Sequence, residues 1–150
     1  MKILVVNGPN LNNLGKRDES HYGSESFSDV IRAIEKFSKE LGVETNFFQS
    51  NSEGELVSFI QKEASTSDGI VINAGALTHY GLSLKDSLID AKIPLVEVHI
   101  SNIHQREKYR RTSVVESVAI GQVAGFGTSG YLYAIELLIH YLENAIEVSK

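Results

Sequence analysis

The sequence runs to 150 residues with 42% hydrophobic and 22% charged content, which suits a single globular domain over residues 1–150 with a core of its own. It has no cysteine, so neither a disulfide framework nor a thiolate nucleophile or metal ligand enters the reading. A formal net charge of −5 argues against a nucleic-acid-binding surface, and no apolar run suits a signal peptide or a bilayer span, so a cytoplasmic protein without membrane contact is expected.

Lys2–Asn7 is a short run of Ile, Leu and Val and predicts the first strand. A long polar loop follows, from Asn7 to Gly23, bracketed by Gly8, Gly15 and Gly23. Loops of such length in compact domains serve as lids or binding loops, or else as surface excursions. Phe27, Val30, Ile31, Ile34, Phe37 and Leu41 then recur at spacings that put them on one helical face. Val43–Gln49 predicts a second strand, and Ser52 followed by Glu55 resembles a capping box that opens a helix through Ala64. Gly69–Asn73 predicts the third strand, Leu82–Ala91 a shorter helix, Pro94–Ile100 the fourth strand and Ser117–Val123 the fifth. Leu132, Ile135, Leu138, Ile139, Leu142 and Ile146 draw one face of a final helix.

Strands alternating with helices imply right-handed crossovers and a parallel sheet covered on both faces. The expected fold is a three-layer α/β, flavodoxin-like arrangement with strand order 2-1-3-4-5. In that order strands 1, 3 and 4 are neighbours, so the segments that follow them share one crevice at the C-terminal edge of the sheet. Those segments carry the densest polar residues of the chain.

Each segment has a plain alternative. Thr78-His79 can be a helix entry, and the basic stretch Arg106–Arg111 can be solvated surface. Glu97, His99 and Ser101 stand at i, i+2 and i+4 of a strand and project from one face, as a hydrogen-bonded core pair also would. A carboxylate beside an imidazole holds its tautomer and favours its protonated form, which suits a general acid. Gly125-Phe126-Gly127-Thr128-Ser129-Gly130 spells a dinucleotide fingerprint, but only 20 residues follow it, too few for the return strand with a ribose-binding acid. It reads as tight helix–strand packing. None of the five histidines forms a His-x-x-x-His or Glu-x-x-His spacing, so no metal site is expected.

Together the first loop, the Asn73-Ala74-Gly75-Ala76-Leu77-Thr78-His79 segment and Glu97-Val98-His99-Ile100-Ser101-Asn102 resemble the type II 3-dehydroquinate dehydratases. The resemblance runs from Met1 to about Leu142 and includes Asn7-Gly8-Pro9-Asn10-Leu11-Asn12, Gly15, Arg17, Tyr22, Gly23, Arg106, Arg110 and the glycine stretch ending at Tyr131. It implies a flavodoxin-like enzyme, without metal or cofactor, that converts 3-dehydroquinate to 3-dehydroshikimate by anti elimination of water through an enolate. It further implies that Tyr22 takes the C2 proton with Arg17 stabilising its phenolate, and that Asn12 holds the water on the enolate oxygen. By the same resemblance His99, oriented by Glu97, protonates the departing C1 hydroxyl. Asn73, His79, Ile100, Ser101 and Arg110 then bind the substrate. The resemblance also implies that Asp86 reaches a neighbouring subunit's site within a dodecamer built as a tetramer of trimers. Bringing a tyrosine from about 10 into the neutral range takes roughly 3–4 kcal/mol. One cation about 4 Å away, at an effective dielectric near 20, supplies about 4 kcal/mol.

The chain departs from the family pattern at Asn13, at Asp18-Glu19-Ser20, at Tyr80-Gly81 and at Thr112. These positions bear on the lid and the rim near His79, and none has an implied chemical role. Two other readings use the same scaffold: a nucleotide-binding or signalling module, and a different small-molecule lyase or hydrolase. Against the first, strand 1 ends neither in a phosphate-cradling loop nor in an acidic cluster.

Overall fold

The computed structural model describes residues 1–148, with side chains described through Ala145. Five parallel strands form one sheet: β1 (Lys2–Asn7), β2 (Glu44–Gln49), β3 (Gly69–Asn73), β4 (Leu95–His99) and β5 (Gly121–Ala124). Their order is β2-β1-β3-β4-β5, as the pattern of the sequence predicts. The helices are α1 (Glu19–Tyr22), α2 (Phe27–Glu40), α3 (Glu53–Glu63), α4 (Leu82–Ala91) and α5 (Gly130–Val148). None of the described helices is long and apolar enough to cross a membrane.

Period-2 alternation divides the central strands between two cores. Ile3, Val5, Val71, Val96 and Val98 pack against Val30 and Ile34 of α2 and Tyr131, Ile135 and Leu138 of α5. Leu4, Val6, Ile70, Ile72 and Leu95 pack on the opposite face against Leu56 and Ile60 of α3 and Leu84 and Leu88 of α4. Being buried on both faces, β1 and β3 read in the sequence as continuous apolar runs. The face that α2 presents was likewise legible in Phe27, Val30, Ile34 and Phe37, whereas Leu41 falls past the helix and is exposed; Ile146, which the pattern adds to the face of α5, lies outside the described side chains.

Two elements differ from expectation for identifiable reasons. The fifth strand begins at Gly121 and not at Ser117, because Glu116–Val118 forms a 3-10 turn. The Ser113 hydroxyl accepts from the Val115 and Glu116 N–H groups, each at 3.0 Å, and this curls the segment so that Val115 drops into the α3/α4 core. At α3, Ser52 does accept from the Glu55 N–H. The Glu55 carboxylate, however, takes the Ser50 hydroxyl, so the box is half closed. The complete box stands at Ser26 and Asp29, opening α2.

The loops after β1 and β3 are forced together. Gly8 N–H donates to Asn73 O at 2.8 Å. A Cβ at Gly8 would lie 2.2 Å from Ala74 O, so only glycine fits. The glycine stretch 125–130 has a packing role: Gly125 has φ +91°, and a Cβ there would stand 3.0 Å from Asn102.

Candidate active site

At the C-terminal edge of the sheet, Arg17 and Tyr22 from the first loop meet Asn73, Gly75 and His79 from the β3 segment. His99, Ile100, Ser101, Arg106 and Arg110 from the β4 segment complete one crevice. Three loops that the topology brings side by side thus build the site, as strand order alone leads one to expect. The crevice holds about 40 Å³ of open space, which is too little for any ring-sized ligand. The first loop is therefore down over it.

Tyr22 ends α1, a short helix capped at its N-terminus by Asp18. The Asp18 carboxylate accepts from the Ser20 N–H at 2.9 Å and from the Ser20 hydroxyl at 2.6 Å. Those bonds, with His21 at 3.1 Å, hold the Asp18 carboxyl down to about 2. The Asp18-Glu19-Ser20 departure from the family pattern thus acts as a cap for the helix that carries Tyr22. Gly15 and Gly23 flank this segment with φ of +85° and +73°. Gly23 also has ψ −179°, a region open essentially to glycine alone, and a Cβ there would touch nothing within 4 Å. Gly23→Ala should therefore act through the backbone alone. The lid should lose about 1–3 kcal/mol of its closed geometry, with turnover falling and the melting temperature nearly unchanged. Melting curves and turnover measured side by side check this.

The Tyr22 hydroxyl accepts from Arg106 Nη1 at 2.9 Å, and the same nitrogen donates to Ser101 Oγ at 3.3 Å. Arg17 lies over the ring instead, its guanidinium carbon 3.9 Å from the centroid. The cation expected at the phenol oxygen is thus supplied by Arg106, and Arg17 covers the aromatic face. Arg106 belongs to the basic stretch whose composition alone reads as solvated surface, and its buried Nε and that of Arg110 face the Glu107 carboxylate at 3.6 and 3.1 Å.

Behind the crevice, Glu97 is fully buried and His99 is 5% exposed. His99 Nε2 meets Glu97 Oε1 at 2.7 Å, which leaves Nδ1 for a group in the crevice. Glu97 also accepts from Ser113 Oγ at 2.8 Å, from Gln122 Nε2 at 2.9 Å and from the Thr78 hydroxyl. Burial pushes the Glu97 carboxyl up, but the hydrogen bond and charge of His99, with Thr78 and Gln122, outweigh it and hold the group below its ordinary range. Beside this pair Asn73 Nδ2 donates to Tyr131 Oη at 2.9 Å, and that hydroxyl donates to Asn7 Oδ1 at 2.6 Å. Burial pushes the Tyr131 phenol up, so it stays protonated and locks the amides of Asn7 and Asn73. His79 Nδ1 meets Thr112 O at 2.7 Å, so Thr112 serves through its backbone.

Of the expected site residues, the crevice gathers Arg17, Tyr22, Asn73, His79, His99, Ile100, Ser101 and Arg110, with Glu97 directly behind. Asn12 is exposed on the turn Leu11–Asn13, from which Leu11 is the residue that lines the crevice. Asp86 is exposed on α4 and is not among the lining residues. Sequence reasoning gave no part to Thr78, Ser113, Gln122 or Tyr131 in the support of the site. Among the described residues, no three of His, Asp and Glu converge as metal ligands.

A doubly wound sheet with an arginine-bound tyrosine in one crevice and a buried carboxylate–imidazole pair at its back is a flavodoxin-like scaffold that brings candidate acid and base side chains together. Residues 1–139 match the family model described as dehydroquinase class II, and the chain belongs to that family. Among its relatives is the 3-dehydroquinate dehydratase of Thermotoga neapolitana, 52% identical over 136 residues that cover 91% of this chain and 92% of that protein. That of Halothermothrix orenii is 47% identical over 142 residues, covering 95% and 96%. The crystal structure of type II dehydroquinase from Butyrivibrio crossotus superposes with a TM-score of 0.91 at 45% identity, covering 93% of this chain and 97% of that one.

Proposed function

We propose that this chain is a hydro-lyase that dehydrates 3-dehydroquinate to 3-dehydroshikimate by anti elimination through an enolate, a step shared by the shikimate and quinate pathways. The observation that carries the reading is one closed crevice lined by the Arg106-bound Tyr22 and the Glu97-backed His99. Family membership supplies the substrate. Tyr22 as phenolate removes the C2 proton and leaves an enolate at C3. The enolate then expels the C1 hydroxyl as His99 Nδ1–H protonates it, so that water leaves and the C1–C2 double bond forms. Tyr22 gives its proton to solvent and His99 regains one. Arg106 supports the phenolate oxygen, Arg17 its ring, and Glu97 the imidazolium.

Substrate carboxylate and hydroxyl groups are assigned to the Ile100/Ser101 backbone, Ser101 Oγ, Arg110, Asn73 and His79. Asn12, exposed in this closed form, is assigned the enolate-bound water once the loop opens to admit substrate and reseats over it. The 150 residues act as one catalytic domain in the cytoplasm, and neither a metal nor an organic cofactor takes part.

The same reading makes the protein a dodecamer of four trimers, in which Asp86 enters a neighbour's site. Two separate apolar surfaces support it. Ile120, Phe126, Tyr133, Leu137 and Tyr141 are exposed along β5 and α5, and Tyr80, Leu82 and Ile89 are exposed around α4, which carries Asp86. Sedimentation at micromolar concentration should give a large trimer-based species, and a fully active monomer would remove this part of the reading.

Incubation with 3-dehydroquinate should generate the absorbance of a conjugated enone, with rate unaffected by EDTA and by prior treatment of the enzyme with borohydride and substrate, once the reagent is removed and fresh substrate is added. Loss of activity to EDTA points to a metal, and loss to borohydride points to an imine formed on a lysine. Either loss excludes the mechanism written above.

A further inference from the structure

Glu97 and Gln122 are register partners on β4 and β5, so their side chains lie side by side on one face of the sheet. Gln122 does not line the crevice, and Glu97 stands between it and His99. The donors around the buried carboxylate are unevenly shared. Oε1 receives His99 Nε2 at 2.7 Å, Ser113 Oγ at 2.8 Å and the Thr78 hydroxyl. Oε2 receives Gln122 Nε2 at 2.9 Å and is otherwise met by Ser113 Oγ at 3.0 Å. Ser113 has one hydroxyl proton, and the Val115 and Glu116 N–H groups occupy its lone pairs. It therefore serves one carboxylate oxygen at a time. When that proton is on Oε1, Gln122 is the donor left on Oε2.

A carboxylate turns on a soft terminal torsion, so donors gathered on one oxygen fix that atom but not the plane of the group. The second oxygen must be pinned as well. We propose that Gln122 is a positioning residue for the reaction: its amide fixes the plane of the Glu97 carboxylate, and that plane keeps His99 in one tautomer with Nδ1 facing the crevice. The turnover part of this inference rests on the dehydration reading above, and the histidine geometry does not.

Gln122→Met keeps length and volume but loses the donor. It should lower kcat about tenfold, the size of one hydrogen bond to a charged group, and leave KM within about twofold. In a His99→Ala background the same change should cost less than about twofold, because the residue it acts through is gone. Nitrogen-15 spectra of labelled histidine, with the His99 signals assigned by their loss in His99→Ala, should show one tautomer in the parent protein and a mixture in Gln122→Met. Equal losses in the two backgrounds, or unchanged His99 signals, would show that Gln122 only satisfies a buried charge. If Gln122→Met does not fold, Gln122→Leu carries the same measurements, since it also removes the donor from Oε2 and adds no charge. A parent protein that forms no enone would overturn the dehydration reading, while the spectra still decide the positioning role.

Discussion

Tyr22→Phe is expected to lower turnover by about 10²–10⁴-fold, the range of a lost general base, while the fold persists. The ring packs against the core as before, and its hydroxyl bonds only the Arg106 side chain. The two neighbouring arginines should then separate by their readouts. Arg106 touches the oxygen that gains charge, so Arg106→Ala should move the ascending limb of the pH–rate profile to higher pH. Arg106→Lys keeps the charge but not the planar guanidinium that aims Nη1 at both Tyr22 and Ser101, and should recover only part of the rate. Arg17 covers the ring face at 3.9 Å, so Arg17→Ala should loosen the lid and raise KM with a smaller movement of that limb. If Arg17→Ala displaces the limb more than Arg106→Ala, the cation at the oxygen changes during closure, and the arrangement seen here is a resting one.

His99→Ala should likewise cost about 10²–10⁴-fold in turnover. His140→Ala, at an exposed position on α5, should leave turnover nearly unchanged and so serves as the internal control. Glu97→Gln should be both less active and less stable, since several donors built for a carboxylate would face an amide. The loss of hydrogen bonds to a buried group is on the order of 1–3 kcal/mol. Its sign with pH follows from the carboxyl being held low in the folded protein. The ionised group contributes stability above its unfolded value near 4.5, and that contribution fades as pH falls through the lower folded value. The parent should therefore lose more stability than Glu97→Gln between pH 5 and acid, by about the same order as the difference at neutral pH. Parallel acid-side profiles from urea melts would mean that Glu97 is not the group responsible.

What the sequence disclosed follows from which interactions are local. Lys2–Asn7, Gly69–Asn73 and Leu82–Ala91 announce themselves by composition and period, and the structure keeps those bounds unchanged. Glu97 and His99 are separated by one residue of a strand, so their pairing is legible from pleat geometry alone. The three segments that make the crevice are legible once the strand order is set. Hidden are contacts that depend on tertiary register. Ser113 reaches Glu97 from an irregular stretch just ahead of the 3-10 turn Glu116–Val118, which takes the place of the first residues of the expected strand Ser117–Val123. Gln122 is an ordinary polar residue of a short edge strand until β5 pairs beside β4. Arg106 lies 84 residues from Tyr22, in a basic stretch whose composition gives no reason to single it out. Asn12 shows the opposite case: its motif was plain, yet in the closed loop the apolar Leu11 turns inward and Asn12 faces solvent.

The central claim is that a tyrosine and a histidine in this crevice remove a proton and a hydroxyl from opposite faces of one substrate. It is tested most directly with two samples of 3-dehydroquinate, each bearing deuterium at one of the two C2 positions. Mass spectrometry of the 3-dehydroshikimate formed at low conversion should show deuterium lost from the sample labelled anti to the C1 hydroxyl and kept in the sample labelled syn to it. Loss from the syn position, or scrambling between the two, would contradict this account of the site.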